Sequence, residues 1–169
     1  VSAIRKFLDQ NREKPFICCE YTHAMGNSCG SIVKYTEAFE KYPALQGGFI
    51  WDYIDQAIWT TSKDGKPYLG YGGDFGENYH DGDFSGDGLI FADRNESPKL
   101  YETKACYQNV AFIFDEAEPR KVTISNRFLF TDLIDYDLQW EVAVPSFEEE
   151  GIRITIGNLR IKCAPGESV

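Results

Sequence analysis

The sequence predicts an α/β segment followed by an all-β segment. Two periodicities and the composition carry this. Up to about residue 52, helical spacing alternates with short apolar runs, which is the rhythm of β/α units. From about Asn109 the apolar residues recur at every second position, as in short antiparallel strands. Hydrophobic residues make up 43% and aromatic residues 15% of the 169 positions. That is enough to bury a core in one or two domains, and it excludes a disordered chain.

The elements follow in order. Ser2 is placed to cap a first helix, with Val1, Ile4, Phe7 and Leu8 on one face and Lys6, Asp9 and Glu13 on the other. Pro15 stops that helix. Phe16 to Tyr21 is a nearly all-apolar run, which reads as a strand buried on both faces, as in parallel sheets. His23 to Gly30 is rich in Gly, Asn and Ser and reads as a loop. Ser31 is placed to cap a second helix, with Ile32, Tyr35, Phe39 and Tyr42 at helical spacing and Pro43 ending it. Leu45 to Asp52 reads as another buried strand. The stretch 53–96 breaks the rhythm. It is long, rich in Gly and Asp, and expected to be a loop without structure of its own, a kind that is usually functional. Ser97-Pro98 then starts a third helix. Beyond it Val110, Phe112 and Phe114 alternate, as do Val122 and Ile124. The segments Tyr136 to Val144 and Ile152 to Ile156 repeat the pattern, and strands at this spacing suggest an antiparallel β-sandwich.

Charge and cysteine usage narrow the function classes. With 17 Lys+Arg against 27 Asp+Glu, the net charge of -10 repels phosphate backbones, so no nucleic-acid partner is expected. No apolar run approaches the roughly 20 residues of a membrane span. The chain opens on Val1 with neither a signal nor a transit peptide, and so abrupt a start suggests a piece of something longer. The five Cys are odd in number and contain no CxxC pair. They form neither a disulfide framework nor a zinc cluster, and point to buried thiols in a reducing, cytoplasmic compartment.

Four features carry chemistry. Glu20 ends an apolar strand just before a Gly-rich loop, the position of catalytic groups in β/α barrels. The bland alternative is a strand-end carboxylate facing open water. His23, three residues on, is placed to bond a substrate hydroxyl, or it is simply a surface or capping residue. Trp51 ends the second strand and is either a core aromatic or a flat platform for a sugar. The segment Asp81 to Gly88 imitates an EF-hand loop, with oxygens at positions one, three and five and Gly at six. Position twelve is Ala92 instead of Glu, and the flanks are not amphipathic helices, so the EF-hand is rejected. A looser hard-cation site and a solvated acidic loop both remain open.

Together the motifs resemble a known family. Phe16-Ile17-Cys18-Cys19-Glu20-Tyr21-Thr22-His23-Ala24-Met25-Gly26-Asn27-Ser28 resembles the nucleophile signature of the large bacterial β-galactosidases of glycoside hydrolase family 2. Leu45-Gln46-Gly47-Gly48-Phe49-Ile50-Trp51-Asp52-Tyr53-Ile54-Asp55-Gln56 is similar to the segment that follows there. Tyr71-Gly72-Gly73-Asp74-Phe75-Gly76 and Gly88-Leu89-Ile90-Phe91-Ala92-Asp93-Arg94 match in the same order. The resemblance covers residues 15 to 108. It implies the last two β/α units of a TIM (β/α)8 barrel over residues 1–108. Part of an immunoglobulin-like β-sandwich over 109–169 is then expected.

The resemblance also implies roles. Glu20 falls on the catalytic nucleophile of retaining hydrolysis of terminal β-D-galactose residues, as in lactose. His23 falls on a histidine that contacts galactosyl hydroxyls, and Trp51 on the tryptophan against which the sugar packs. Phe84, through its backbone carbonyl, and Asp87 fall on the pair that hold a sodium ion beside the galactose. The family often has Asn where Asp87 stands, and the extra charge should tighten cation binding or change its selectivity. His80 lies near the family's magnesium region but is not expected to be a ligand. The magnesium ligands, the acid/base Glu and a catalytic Tyr fall upstream of this chain, and Glu13 sits at no strand end. Two strands cannot close an eight-stranded barrel. The isolated chain is therefore expected to be inactive, and to need the remainder of the parent polypeptide or a complementing chain. The whole is expected to form a homo-oligomer. The alternatives are a carbohydrate-binding module, using Trp51, Trp59 and the Tyr-rich loop, and a calcium-binding structural domain.

Overall fold

The computed structural model of the chain describes residues 2–10, 13–118, 120–144 and 152–169. The chain divides into two compact units, Val1–Tyr107 and Gln108–Val169.

The first unit opens with helix α1 (Ser2–Gln10), strand β1 (Phe16–Tyr21), helix α2 (Val33–Lys41) and strand β2 (Leu45–Ile50). β1 and β2 pair in parallel, Phe16 opposite Leu45 and Cys18 opposite Gly48. Both helices pack on this pair. Leu8, Cys18, Tyr21, Ala38 and Leu45 form a buried cluster, with Ile4, Tyr35 and Phe39 against it. The helical spacing of Ile4 and Leu8 thus reaches the core. Phe7 stays half-exposed, touching Phe16 with ring centroids 5.1 Å apart.

Several details depart from the expectations. Ser2 is the first helical residue of α1 instead of its cap, and Val1 lies outside the described residues. Ser31 does not cap α2. Its backbone has φ of 62°, the left-handed region, and the cap position falls to Ile32, which makes no side-chain cap bond. Burial on both faces of the strands also fails: Ile17 and Phe49 are 54% and 66% exposed. The reason is that among the described residues this sheet has two strands only, so α1 and α2 leave part of it uncovered.

The stretch 53–96 carries more structure than expected. Strands β3 (Ile58–Thr61) and β4 (Pro67–Gly70) form an antiparallel hairpin. Its turn is closed by Ser62 N–H donating to the Lys66 carbonyl, with Gly65 at a φ of 78°. The signal was weak because only four residues on each side pair, and Ile58 and Trp59 are exposed. Further along, residues 87–90 run beside residues 52–55. Asp52 N–H donates to the Asp87 carbonyl at 2.6 Å, Leu89 N–H to that of Asp52 at 3.0 Å, and Ile90 N–H to that of Tyr53 at 3.0 Å. Helix α3 (Pro98–Cys106) closes the unit, with Ser97 at the cap position. The Ser97 hydroxyl reaches the Leu89 carbonyl at 2.6 Å and makes no cap bond. A second cluster of Ala24, Cys29, Ile32 and Leu89 lies beneath this region, with Leu100 and Cys106 packed on it.

In the second unit, β5 (Val110–Phe114) pairs antiparallel with β6 (Val122–Asn126), and β7 (Leu138–Val144) with β8 (Ile152–Leu159). Tyr136 lies just outside β7, at the end of a single 3-10 turn, Leu133–Asp135. The two pairs are separate two-stranded sheets among the described residues. Ile124, Leu133 and Cys163 form the core, with Val110, Phe128, Leu138 and Ile161 around it. Buried Asn126 ties the unit together: its Nδ2 donates to the carbonyls of Thr131 and Cys163, and its Oδ1 accepts from Phe128 N–H.

Gly88 shows how tightly the 52–55 and 87–90 segments meet. A Cβ there would stand 2.2 Å from Asp55 N and 2.5 Å from the Ile54 carbonyl carbon and the Ile90 oxygen, all backbone. A Cβ on Gly30 meets nothing within 4 Å. Gly88→Ala is expected to cost about 3 kcal/mol, the upper end for overpacking, because no flexible side chain can yield. Gly30→Ala should cost under ~1 kcal/mol. Urea denaturation of the two variants side by side checks the contrast.

Candidate active site

Glu20 arrives at the end of β1 because the strand runs straight into the loop His23–Gly30. Thr22 turns the chain there with φ of 45°, a conformation a β-branched residue rarely adopts and one that clusters at functional sites. The turn brings His23 back alongside, with Nε2 4.0 Å from Glu20 Oε1. The Glu20 side chain is half-exposed. His23 is held by its own loop: Met25 N–H donates to Nδ1 at 3.4 Å, and the Ser28 hydroxyl donates to the His23 carbonyl at 2.6 Å. With Nδ1 accepting, a neutral imidazole carries its proton on Nε2, the nitrogen facing Glu20.

Trp51 leaves β2 and lies beside residues 87–90. The Trp51–Asp52 peptide bond is cis. The Trp51 carbonyl accepts from Ala24 N–H at 2.7 Å, which joins the His23 loop to the end of β2. Its indole Nε1 donates to Asp87 Oδ2 at 2.7 Å. Asp87 is 2% exposed, and its second oxygen, Oδ1, is buried with no hydrogen-bond partner. A buried carboxylate oxygen with no donor is costly unless a cation or a donor meets it. Phe84, three residues earlier, places its ring 5.8 Å from that of His23.

The structure thus links Glu20 with His23, His23 with Phe84, and Trp51 with Asp87. Trp51, Phe84 and Asp87 line one open cleft of about 410 Å³, together with Gln56, His80 and Asp81. Glu20 and His23 do not line that cleft. Gln56 was given no role from sequence, and Asp81 only the first position of the acidic loop. A usable signal for the approach of His80 is the Gly72-Gly73 pair: a Cβ on Gly73 would stand 2.7 Å from the His80 ring, so that turn accepts no side chain. Trp59 lies on the β3–β4 hairpin and is exposed. Among the described residues no group of three or more His, Cys, Asp or Glu side chains could hold a metal ion.

Tyr21, next to Glu20, turns inward and hydrogen-bonds Tyr107 at the end of α3. Burial and that bond push its phenol far above the ordinary range. Burial likewise raises the Cys18 and Cys29 thiols, and all five cysteines are free. Cys18 and Tyr21 belong to the cluster under β1 and Cys29 to the one that holds Ala24 and Leu89. Among the described residues no helix is long and apolar enough to cross a membrane.

Glu20 and Trp51 stand at the C-terminal ends of two parallel strands, the end at which β/α barrels carry their sites. The family model "Glycosyl hydrolases family 2, TIM barrel domain" matches residues 2–112, and the chain belongs to this family. It is 52% identical over 139 residues to a protein named Beta-galactosidase from Priestia megaterium, covering 82% of this chain and 13% of the relative. It is 48% identical over 164 residues to a Beta-galactosidase from Clostridium acetobutylicum, covering 97% of this chain and 17% of the relative. With Beta-galactosidase BgaC of Bifidobacterium adolescentis the identity is 55% over 124 residues, 73% of this chain and 11% of that protein. The chain thus spans between 11% and 17% of the length of these relatives.

The indole–carboxylate bond yields a direct test. Trp51→Phe keeps a flat apolar ring but removes the donor, leaving both Asp87 oxygens without a partner. The loss should be about 1–3 kcal/mol of stability, read by urea denaturation. Trp51→Phe in an Asp87→Ala background should cost clearly less, because the carboxylate to be satisfied is gone.

Proposed function

We propose that this chain supplies the nucleophile half of a β-galactosidase active site. The reaction is retaining hydrolysis of terminal non-reducing β-D-galactose residues in β-galactosides such as lactose. The observation that supports the reading best is the linked set at the strand ends: Glu20 4.0 Å from His23, and Trp51 bonded to buried Asp87. Three similar proteins that carry the name beta-galactosidase add to it.

In this reading a Glu20 carboxylate oxygen attacks the anomeric carbon as the bond to the leaving oxygen breaks. A covalent galactosyl-enzyme results, and inverted attack by water releases galactose with its configuration retained. A second carboxylate, roughly 5–5.5 Å away and outside this chain, protonates the leaving oxygen and later deprotonates the water. His23 donates from Nε2 to a galactosyl hydroxyl, and Trp51 offers its ring face to the apolar side of the sugar. Asp87 and the Phe84 carbonyl would hold a sodium ion, which would supply a fixed positive charge for sugar oxygens to meet. The unpartnered Asp87 Oδ1 fits that part. Magnesium ligands lie outside this chain. The barrel is completed by the remainder of the parent polypeptide or by a complementing chain, in a cytoplasmic homo-oligomer.

The decisive experiment is on the complete polypeptide. Glu20→Gln should lower kcat by at least ~10⁴-fold while substrate binding stays within a few fold, and a fluorinated galactoside should label Glu20 in the parent protein. Binding lost in step with turnover argues against the nucleophile role. The isolated 169-residue chain should show no turnover of a chromogenic β-galactoside. Turnover that vanishes in its Glu20→Gln form overturns that expectation.

The cation is tested separately. Asp87→Asn removes one negative charge from the site, so the sodium concentration for half-maximal activity should rise about tenfold. Titration of activity with sodium chloride at constant ionic strength checks it, and an unchanged midpoint excludes Asp87 as a ligand.

A further inference from the structure

We propose that Lys99 is a positioning residue for His23, acting through the peptide group between Ala24 and Met25; this rests on the galactosidase reading above. Lys99 lies in the first turn of α3, 75 residues after Ala24 in sequence. Its half-buried ammonium donates to the Ala24 carbonyl at 2.5 Å. The N–H at the other end of that same peptide plane, Met25 N–H, donates to His23 Nδ1 at 3.4 Å. A trans peptide holds its C=O and N–H antiparallel, so fixing the carbonyl aims the N–H. A cationic donor on the oxygen also polarises the peptide and strengthens the bond its N–H makes. The chain of bonds thus runs from ammonium to carbonyl, and from N–H to the imidazole nitrogen that must accept if Nε2 is to donate.

The surroundings agree with that role. Ala24 is fully buried, and its own N–H donates to the Trp51 carbonyl at 2.7 Å, so this residue is pinned on both sides. The ammonium sits over the cluster of Ala24, Cys29, Ile32 and Leu89, close enough that its charge opposes the burial-driven rise of the Cys29 thiol. Among the described residues Lys99 forms no ion pair, so its charge is committed to a backbone carbonyl. A lysine placed only for solubility would extend into water.

The test is a double-variant cycle in the complete galactosidase, read by kcat/KM on an aryl β-galactoside and by thermal unfolding. Lys99→Met keeps the buried stem and removes the donor. It should lower kcat/KM about tenfold, since misplacing a group at the reacting centre by an ångström costs up to ~10²-fold. Lys99→Arg, which keeps a cationic donor, should stay within about threefold of the parent. In a His23→Ala background, Lys99→Met should change kcat/KM by less than about twofold, because the residue it positions is gone. Penalties that multiply in the double variant, or Lys99→Met equal to the parent while His23→Ala is impaired, overturn the proposal. If Lys99→Met fails to fold, Lys99→Leu, which also carries no donor, takes its place in the cycle. The galactosidase reading fails by a different result: Glu20→Gln and His23→Ala both leaving hydrolysis intact.

Discussion

The first unit is organised around one buried carboxylate. Asp87 is withdrawn from water almost completely, and the segment that carries it is clamped by backbone bonds to the end of β2. The clamp has little slack: Gly88 lies flat against the Asp55 backbone, and its N–H donates to Asp55 Oδ1 at 2.6 Å. Leu89 follows and enters the core, with Ser97 bonded to its carbonyl, so α3 is set by the same crossing. Trp51, Asp87 and the start of α3 are consequently one mechanical piece. The His23 loop joins it through Ala24, which is bonded to both Trp51 and Lys99. A site composed of loops is rigid here because each loop hands a backbone group to the next.

The strands themselves are less complete than the site. Helices α1 and α2 cover one part of the β1–β2 pair, while Ile17 and Phe49 remain open to water. Large apolar side chains so exposed on a two-stranded parallel sheet are the edge and face of a larger architecture. A barrel of eight strands covers such residues by closure. The matched share of the relatives, at most 17% of their length in the three described, is in keeping with that requirement. Local order and global incompleteness coexist because the site is stabilised by hydrogen bonds within residues 20–99, and the sheet by packing that these residues alone do not supply.

The legibility of the sequence follows from how local each determinant is. The strands around Glu20 and Trp51 were readable because a short apolar run ending in a charged or aromatic residue is a local pattern. The second-unit strands were readable from alternation at Val110, Phe112 and Phe114 and again at Val122 and Ile124. The cap positions were not: Ser31 has the right side chain, but its left-handed backbone removes it from the cap, and φ cannot be read from composition. The β3–β4 hairpin was hidden in a Gly- and Asp-rich stretch, since four-residue strands carry too few alternations to register. Among the site residues, Glu20, His23 and Trp51 stood out by their places at strand ends and in the loop between, while their roles, and those of Phe84 and Asp87, came from motif resemblance. What resemblance left unstated was the pairing of Trp51 Nε1 with Asp87 across 36 residues, and of Lys99 with Ala24 across 75. Such pairings are products of the crossing at Gly88, and no periodicity encodes them.

The chain positions the reacting groups without insulating them. Glu20 keeps half of its side chain in contact with solvent, and His23 about a third, whereas Asp87 is sealed. Charges in water interact weakly; the same groups in a closed, low-dielectric site act several-fold more strongly. Asp87 therefore belongs to the built part of the site, and Glu20 to the part still open. In the proposed reaction, whatever covers Glu20 must exclude water and bring the second carboxylate within reach. Orientation is consequently intrinsic to this chain, through the peptide and indole bonds that hold His23 and Trp51, while the electrostatic strength of the site depends on the surfaces that close over it.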